Sequence, residues 1–401
     1  MILMLAALDP LLDNVDGAVV LIVLLKVVVS FFVLLISVMA MVWFERKVVA
    51  DMQNRIGPNL AGPFGILQTL ADGIKLFFKE DLLPRNADPL AFRLAPYLSL
   101  IPAFTVFVVI PFGGDFSGDN TGVVNWFGRD TLAQVADPHV GVLFFLAMSS
   151  IAVYGVMLAG WSSGSKYPLL GSVRATAQMI SYEAALGLSL LSVLLTSGSL
   201  STNTIVDTQS GWNWNLWVTG IVPFVIFLIA ATAELNRPPF DLVEAEQELV
   251  GGFHTEYSSL RFALFFLAEF MNTITMSAVI VTLFLGGPNG PMFGPDWVRM
   301  FLPTIWFLAK LLVLLFVFVW FRSTLPRLRY DQLMDLGWKL LIPLSLGWFI
   351  LLAVTNVADG AGWNPVVAGV ITLAILGVAG ITLRTAMRTA AVRRAAGEVA
   401  H

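Results

Sequence analysis

The sequence predicts an all-α polytopic membrane protein with about nine transmembrane helices and one amphipathic helix at the membrane interface. Hydrophobic residues make up 57% of the 401 residues and charged residues only 12%, which is far outside the range of soluble globular domains. Nine apolar stretches are long enough to cross about 30 Å of hydrocarbon at about 1.5 Å per residue. The segments between them are too short for a soluble domain, so residues 1–401 are predicted to form one integral membrane domain.

The chain opens with MILMLAALDPLLDNVDG, which lacks a basic start and a small-residue cleavage site. We therefore expect this segment to be retained and not removed as a signal peptide. The predicted spans lie near residues 19–44, 92–112, 140–160, 175–197, 216–235, 260–285, 300–321, 338–357 and 364–383.

The 23 basic residues indicate how these spans are oriented. Nineteen lie in or beside the first, third, fifth and seventh loops and the C-terminal tail, whereas Arg129 and Arg299 lie in the alternate loops and Lys26 and Lys310 lie inside spans. Lys and Arg accumulate in the cytoplasmic loops of membrane proteins, so we expect the N-terminus outside and the C-terminus in the cytoplasm. The tail carries Arg384, Arg388, Arg393 and Arg394.

The first of these basic loops contains the predicted amphipathic helix, FGILQTLADGIKLFFKED. Its apolar residues recur at helical spacing and its polar residues take the opposite side. The apolar positions are Leu67, Leu70, Ile74, Phe77 and Phe78, and the polar ones are Gln68, Asp72, Lys75 and Lys79. Such a helix is either a connector held by its apolar face or one wall of a lateral opening for a lipid-soluble molecule.

Several kinds of chemistry are excluded by the residues present. The chain has no cysteine, so disulfides, thiolate metal sites and cysteine-ligated iron–sulfur clusters cannot form. There is no glycine-rich nucleotide loop following a strand, and His139, His254 and His401 are not expected to share one site. We expect no metal site and no redox cofactor in this chain.

Three carboxylates lie inside predicted spans. Glu183 stands roughly eleven residues into its span, on the order of 16 Å deep, Glu269 about ten residues into the sixth, and Glu234 near the end of the fifth. An ionised side chain at mid-membrane costs several kcal/mol on an isolated helix, so such groups usually face a protein interior or water. Each is a candidate functional residue, and the alternative is a carboxyl group that hydrogen-bonds neighbouring helices together.

The stretch AELNRPPFDLVEAEQELVGGFHTEYSS, residues 233–259, contains six acidic residues. A solvated loop is the usual interpretation of such a run. However, large apolar residues interrupt the charges, and Pro238–Pro239 ends the preceding helix and lets the chain fold back. We therefore expect a packed loop whose acids form the mouth of a proton path leading through Glu234 to Glu183. The acids are Glu234, Asp241, Glu244, Glu246, Glu248 and Glu256.

Four stretches carry a resemblance to a known family: ERKVVADMQNRIGPNLAGPFGILQTLADGIKLFFKE, AQMISYE, AELNRPPFDLVEAEQELVGGFHTEYSS and FRSTLPRLRYDQLMDLGWK. Together they resemble the H subunit of respiratory complex I, the membrane component of NADH:quinone oxidoreductase that docks the peripheral arm. The resemblance extends from about residue 45 to 343. The N-terminal segment and the loop 113–138 match no stretch that we can name, and the ninth span with its basic tail departs from the family's commonest pattern.

This resemblance implies that the chain forms the quinone entrance and much of the quinone chamber, with ubiquinone or menaquinone as substrate. The residues that resemble the quinone-lining set are Glu45, Arg46, Arg55, Asp72 and Arg322. Those that resemble the acidic path to the proton-pumping subunits are Glu183, Glu234, Glu244, Glu246, Glu248, Glu256 and Glu269, with Asp241 between the two sets. Positive-inside anchoring is the alternative role of the arginines.

The resemblance also implies partners and a location. NADH, FMN and iron–sulfur clusters are expected in partner subunits: hydrophilic subunits at the quinone site, and small membrane subunits of the proton-pumping arm beside this chain. The chain is expected to lie in a bacterial plasma membrane, in contact with the lipid bilayer and not with nucleic acid.

Three other functions remain open. The related membrane subunit of a membrane-bound hydrogenase would have a similar fold and another electron acceptor, and the stretches ERK and RYDQLMDLGWK favour the quinone enzyme over it. A proton-coupled secondary transporter would also have buried acids, but the sequence shows no inverted repeat with broken helices in matching halves. A purely structural membrane anchor would not require Glu183, Glu234 and Glu269 inside spans.

Overall fold

The computed structural model describes residues 9–13, 15–116, 121–242 and 249–398. Long helices dominate, and the prediction of an all-α polytopic membrane protein is confirmed. In chain order the helices are α1 (Gly17–Met52), α2 (Gln68–Phe78), α3 (Pro89–Val106), α4 (Gly141–Ser162), α5 (Lys166–Ser197), α6 (Thr202–Asp207), α7 (Asn215–Val218), α8 (Ile221–Glu234), α9 (Ser259–Phe284), α10 (Asp296–Thr324), α11 (Tyr330–Asp335), α12 (Ile342–Gly360) and α13 (Pro365–Glu398).

In the described part of the chain, eight helices are long and apolar enough to cross a membrane, or nine if one bent pair forms a span. That pair, Ser210–Val218 and Ile221–Glu234, stands where a straight span 216–235 is predicted, and its two parts meet at 74°. Gly220 lies in the bend with φ 80°, and a Cβ there would approach Trp348 to 2.8 Å, so the bend requires glycine. The 14 residues of α8 alone rise only about 21 Å.

The core of the bundle lies around α9, the most buried of the long helices. Fully buried side chains such as Tyr182, Phe227 and Phe284 fill the space between α5, α8 and α9. Glycines bring α4 close to its neighbours: a side chain on Gly155 would overlap Ser99 of α3, and one on Gly160 would overlap Ser172 of α5. Small residues at such contacts let helices in lipid approach closely.

One end of the bundle, which we call the hairpin end, carries an antiparallel hairpin that the sequence does not predict. Its strands are β1 (Val123–Trp126) and β2 (Arg129–Leu132). Lys26 of α1 is buried against it, with Nζ donating to Asp9 Oδ2 (3.1 Å), Thr131 Oγ1 (2.5 Å) and the carbonyl oxygen of Leu132 (2.9 Å). These bonds hold the N-terminal segment, α1 and the hairpin together.

Lys310 of α10 has a similar role at the same end. Its ammonium group donates to the carbonyl oxygens of Leu285 (2.7 Å), Gly287 (2.9 Å) and Asn289 (2.6 Å), and lies 4.7 Å from the centre of the Trp214 ring. Lys310 thereby uses all three ammonium hydrogens to hold the backbone of the segment that follows α9. The two lysines inside predicted spans are therefore both satisfied within the protein.

The last helices lie at the edge of the bundle. α11 continues through a π-helical segment, Leu336–Leu341, into α12, and there Trp338 donates from Nε1 to Ser181 Oγ of α5 (3.1 Å). α13 packs along α12 and is otherwise mostly exposed. It extends as a helix to Glu398, well past the predicted span 364–383.

Candidate functional site

The opposite end of the bundle, which we call the acidic end, contains a buried network of charges centred on Arg237. This residue follows α8 and donates from Nη1 to Glu45 of α1, at 3.1 Å to Oε2 and 3.3 Å to Oε1. Its Nε lies 3.1 Å from Glu269 Oε1 of α9, and its guanidinium carbon lies 4.4 Å from the centre of the Phe270 ring. Arg322 of α10 also pairs with Glu45. One arginine thus contacts two carboxylates from different helices.

The backbone turn after α8 places Arg237 in this position. Asn236 has φ 51°, a left-handed conformation that asparagine tolerates, and it reverses the chain after Glu234. Gln178 of the AQMISYE stretch holds the turn, because its side-chain amide donates to the carbonyl oxygens of Ala233 (2.8 Å) and Phe240 (3.0 Å). Gln178 is fully buried, and these two hydrogen bonds explain why a polar residue occurs at this position of an otherwise apolar helix.

A cavity of about 70 Å³ lies next to this network. Its polar lining comes from three carboxylates, one histidine, two asparagines and one serine, whereas the rest of its lining is apolar. The polar residues that line the cavity are Glu234, Asp241, Glu269, His254, Asn236, Asn272 and Ser99. A polar cavity of this size has space for several water molecules.

A second cavity of about 30 Å³ adjoins the first, shares Glu234 with it and is also lined by Ser149 of α4. Glu234 is only 8% exposed, and its Oε2 has no hydrogen-bond partner among the described residues. The neighbouring Ser150 donates to Glu183 of α5. Glu234 therefore lines both cavities, and of two adjacent serines of α4 one lines the second cavity with it while the other contacts Glu183.

α2 has the predicted amphipathic form. Leu70, Ile74, Phe77 and Phe78 are between 46% and 88% exposed. On the polar side, Asp72 Oδ2 lies 2.6 Å from Arg46 Nη1 of α1. The turn between α1 and α2 forms an open cleft of about 730 Å³, whose lining includes four polar residues, Arg46, Arg55, Asn59 and Gln68.

The C-terminal end of α2 is fastened to the start of α9. The Ser259 hydroxyl donates to the carbonyl oxygens of Leu76 (3.0 Å) and Lys79 (2.7 Å), and Ser258 accepts a hydrogen bond from the backbone amide of Leu82 (3.0 Å). Arg261 of α9 adds an ion pair with Asp81 at 3.0 Å. These bonds fix the amphipathic helix relative to α9, on which Glu269 lies.

The structure brings most of the predicted site residues together. Glu45 and Arg322 are paired, Arg46 and Asp72 are paired, and Arg55 lies in the same cleft as Arg46. Among the predicted acids, Glu234, Asp241 and Glu269 share the first cavity, whereas Glu183 lines neither cavity and accepts a hydrogen bond from Ser150. Glu256 is half-buried and lines neither cavity. Glu244, Glu246 and Glu248 lie outside the described residues.

Sequence reasoning did not assign a role to Arg237, Gln178 or Arg327. Arg327 pairs with Asp241 at 3.1 Å and is 41% exposed. The sequence did offer one signal for Arg237, which is its position directly before Pro238–Pro239 within the acidic stretch. A basic residue among acidic ones suggests that it forms an ion pair. Within the described ranges, no group of three or more His, Asp or Glu side chains is arranged to hold a metal ion.

Comparisons with known proteins identify the family of this chain. The profile of the NADH dehydrogenase family matches residues 25–353, so the chain belongs to that family. It is similar to the NADH-quinone oxidoreductase H subunit of Frankia alni, with 53% identity over 359 residues that cover 88% of this chain and 76% of the relative. The same subunit of Frankia casuarinae is 53% identical over 342 residues, covering 84% of this chain and 73% of the relative.

A third relative comes from another genus. The H subunit of Streptomyces avermitilis is 50% identical over 340 residues, which cover 83% of this chain and 73% of the relative. The family match ends at residue 353, within α12, so α13 lies beyond it.

Proposed function

We propose that the chain is the H subunit, a membrane component, of a proton-translocating NADH:quinone oxidoreductase. In this role it forms the quinone entrance and much of the quinone chamber, and its acidic residues couple quinone reduction to proton movement. The observation that carries the proposal is the bridge formed by Arg237. It links Glu45, which belongs to the expected quinone-lining set, to Glu269, which belongs to the expected proton path.

The quinone side of the proposal is supported by α2 and the cleft beside it. A long apolar quinone tail can follow the exposed apolar side of α2, while the polar head meets charged groups. Arg46 and Arg55 line the cleft, and Arg322 and Glu45 lie at the neighbouring ends of α10 and α1. Because Arg46 and Asp72 are 43% and 35% exposed, their pair is open to exchange partners with a bound molecule.

The proton side is supported by the two cavities around Glu234. A change in charge at the quinone head alters how Arg237 is shared between Glu45 and Glu269, since a cation between two carboxylates stabilises whichever one is ionised. Glu269 faces the same cavity as Asp241 and Glu234, and water there can carry a proton between them. Ser149 and Ser150 then lead towards Glu183 at the centre of α5.

Partner subunits supply the remaining chemistry. Without cysteine or a nucleotide loop, this chain relies on hydrophilic subunits for NADH oxidation, FMN and iron–sulfur clusters, and on other membrane subunits for the rest of the proton pathway. The protein spans a bacterial plasma membrane, with the acidic end at the cytoplasmic side and the hairpin end outside. Identifying the soluble proteins that co-purify with the chain separates this function from that of a hydrogenase subunit.

The proton path is tested by Glu183→Gln and Glu234→Gln. Glutamine keeps the size and hydrogen-bonding capacity of glutamate but removes the titratable proton. NADH oxidation and proton uptake are measured together in membrane vesicles and normalised to assembled complex. Both should fall together in each variant, and wild-type rates in both variants would show that these carboxyl groups are not on the path.

The quinone site is tested by Arg46→Ala. This variant should lower quinone reduction while electron transfer from NADH to a hydrophilic acceptor stays at the wild-type rate. An equal loss of both activities in an assembled complex would indicate a structural role for Arg46.

A further inference from the structure

His254 lines the cavity of about 70 Å³ next to Glu234 and has no role in the function proposed above. It ends a short 3₁₀ turn, Gly252–His254, that packs on α4 and α5. A side chain on Gly171 of α5 would overlap the backbone of Gly252, so the turn and the helix are in direct backbone contact. This backbone contact fixes the position of the imidazole ring relative to the cavity.

Three phenylalanines surround the imidazole. The ring centres of Phe253, Phe265 and Phe262 lie 3.8, 5.5 and 5.7 Å from that of His254. Burial lowers the pKa of His254 to about 4, so the ring is neutral near pH 7. From α4 and α5 the cavity wall receives Ala152, Val156 and Met179, none of which titrates. The titratable groups that face His254 across the cavity are Glu234, Asp241 and Glu269.

The carboxylates of the cavity cannot all act as proton donors. Asp241 pairs with Arg327 and Glu269 pairs with Arg237, and pairing with arginine favours the ionised form. An ionised carboxylate accepts hydrogen bonds and has no proton to give. A neutral imidazole both donates and accepts, through its two different ring nitrogens. Glu234 and His254 are therefore the cavity residues suited to give up a proton, and of the two only His254 can accept and release it at two different atoms.

We propose that His254 is a proton-relay residue that connects the carboxyl groups of this cavity, a role that rests on the proposed proton path. A protonated carboxyl group, directly or through a water chain, delivers a proton to one ring nitrogen and becomes a carboxylate. The imidazolium then releases the proton of its other nitrogen to a second carboxylate. The ring ends neutral, one carboxyl group has lost a proton and another has gained it. The transient imidazolium is stabilised by the carboxylate that has just been ionised.

The test uses two variants with complementary properties in the assembled complex. His254→Gln keeps a hydrogen-bond donor and acceptor but cannot exchange one proton for another, and His254→Phe keeps the aromatic packing but has no nitrogen. His139→Gln, at an exposed histidine of the hairpin end, is the matched control. Vesicle NADH oxidation and proton uptake are measured alongside NADH oxidation by a hydrophilic acceptor.

Both His254 variants should lose about tenfold or more in coupled turnover and proton uptake, while the hydrophilic acceptor is reduced at the wild-type rate. Wild-type coupling in either variant would overturn the relay, since packing alone is kept by phenylalanine and hydrogen bonding alone by glutamine. If one variant fails to assemble, the other decides in the same way. Glu234→Gln distinguishes the two proposals. If Glu234→Gln loses coupled turnover while both His254 variants keep the wild-type rate, the proposed proton path stands and the relay at His254 is wrong.

Discussion

Arg237 and Glu45 are 192 positions apart in the chain and form a hydrogen-bonded ion pair at the acidic end, where they are 5% and 7% exposed. The same guanidinium group reaches Glu269, so three elements, α1, the turn after α8 and α9, share one buried set of charges. Breaking a buried pair by removing one partner typically costs about 3–5 kcal/mol, because the remaining charge stays buried. Each charge of this set therefore depends on its partners remaining in place.

Arg237→Met should reduce both the amount of assembled complex and the quinone reductase rate of what remains, the latter at least about tenfold. The double variant Arg237→Met with Glu269→Gln should assemble better than the single one, because it neutralises a carboxylate that the arginine contacted, whereas Glu45 still pairs with Arg322 in the single variant. Arg129→Met is the control, since its pair with Asp16 is exposed on both sides, at 38% and 49%, and is worth about 1 kcal/mol or less. Equal effects of the two single variants would contradict a special role of the buried network.

Lys26→Met should destabilise the hairpin end, because Asp9 would then be left buried without its cation. Lys26→Met with Asp9→Asn should recover most of the loss, since asparagine still accepts the hydrogen bond from Thr131. The temperature at which the detergent-purified complex loses half of its activity measures this. A double variant as labile as the single one would show that packing, not charge, limits stability there.

Asp137→Asn should raise that same temperature at pH 8 and have a smaller effect at pH 5. Burial raises the pKa of Asp137, which accepts a hydrogen bond from Ser201 at 2.7 Å. Its stabilising contribution is therefore present below the unfolded pKa of about 3.9 and is lost as the pH rises through the folded value. Asparagine removes the buried charge and keeps an oxygen acceptor. A gain that is equal at both pH values would contradict this linkage.

Asp16→Asn is the control for that experiment, with the opposite sign. The hydrogen bond from the Val19 amide, with Arg129 alongside, lowers the pKa of the exposed Asp16. A lowered value gives a contribution that is present above the unfolded pKa of about 3.9 and disappears only at lower pH. Asp16→Asn should therefore lower the temperature of half-inactivation slightly, and by the same amount at pH 5 and pH 8.

Single cysteines should report the orientation of the protein in the membrane, because the chain has none of its own. Thr389→Cys in the helical extension of α13 should react with a membrane-impermeant maleimide only from the cytoplasmic face. Phe127→Cys, at the 83% exposed tip of the hairpin, should react only from outside. Labelling is read on the tagged, isolated chain. Reaction of both positions from the same face would contradict the proposed arrangement of spans.

Much of the fold could be predicted because the signals are local. Long apolar runs identify most of the long helices, and the spacing of apolar residues identifies α2. α5 begins at Lys166, nine residues before the predicted span 175–197, because the added turns are too polar to count as a span although they are helical. The bend at Gly220 escapes prediction because threonine and glycine barely interrupt the apolar run. Four-residue strands such as β1 are too short to show a periodicity.

The candidate site was partly predictable for a related reason. Carboxylates such as Glu183 and Glu269 are conspicuous within apolar runs, so composition alone identifies them. Pairing is different: the contact between Arg237 and Glu45 depends on how α1 and the turn after α8 meet in space, and no local pattern reports it. The role of Gln178 is likewise visible only once the carbonyl groups that it contacts are in place.

The hydrogen bonds of Ser258 and Ser259 that join the end of α2 to the start of α9 have a mechanical consequence. Because Ser259 is bonded to the last turn of α2, a molecule that pushes this helix aside while passing between lipid and protein also pulls on the first turn of α9. Glu269 is ten residues further along the same helix, about 15 Å away. A helix that moves as a rigid body carries such a displacement to the contact between Glu269 and Arg237. Under the proposed function, the buried ion pairs therefore respond to the entry of the quinone before any electron is transferred to it.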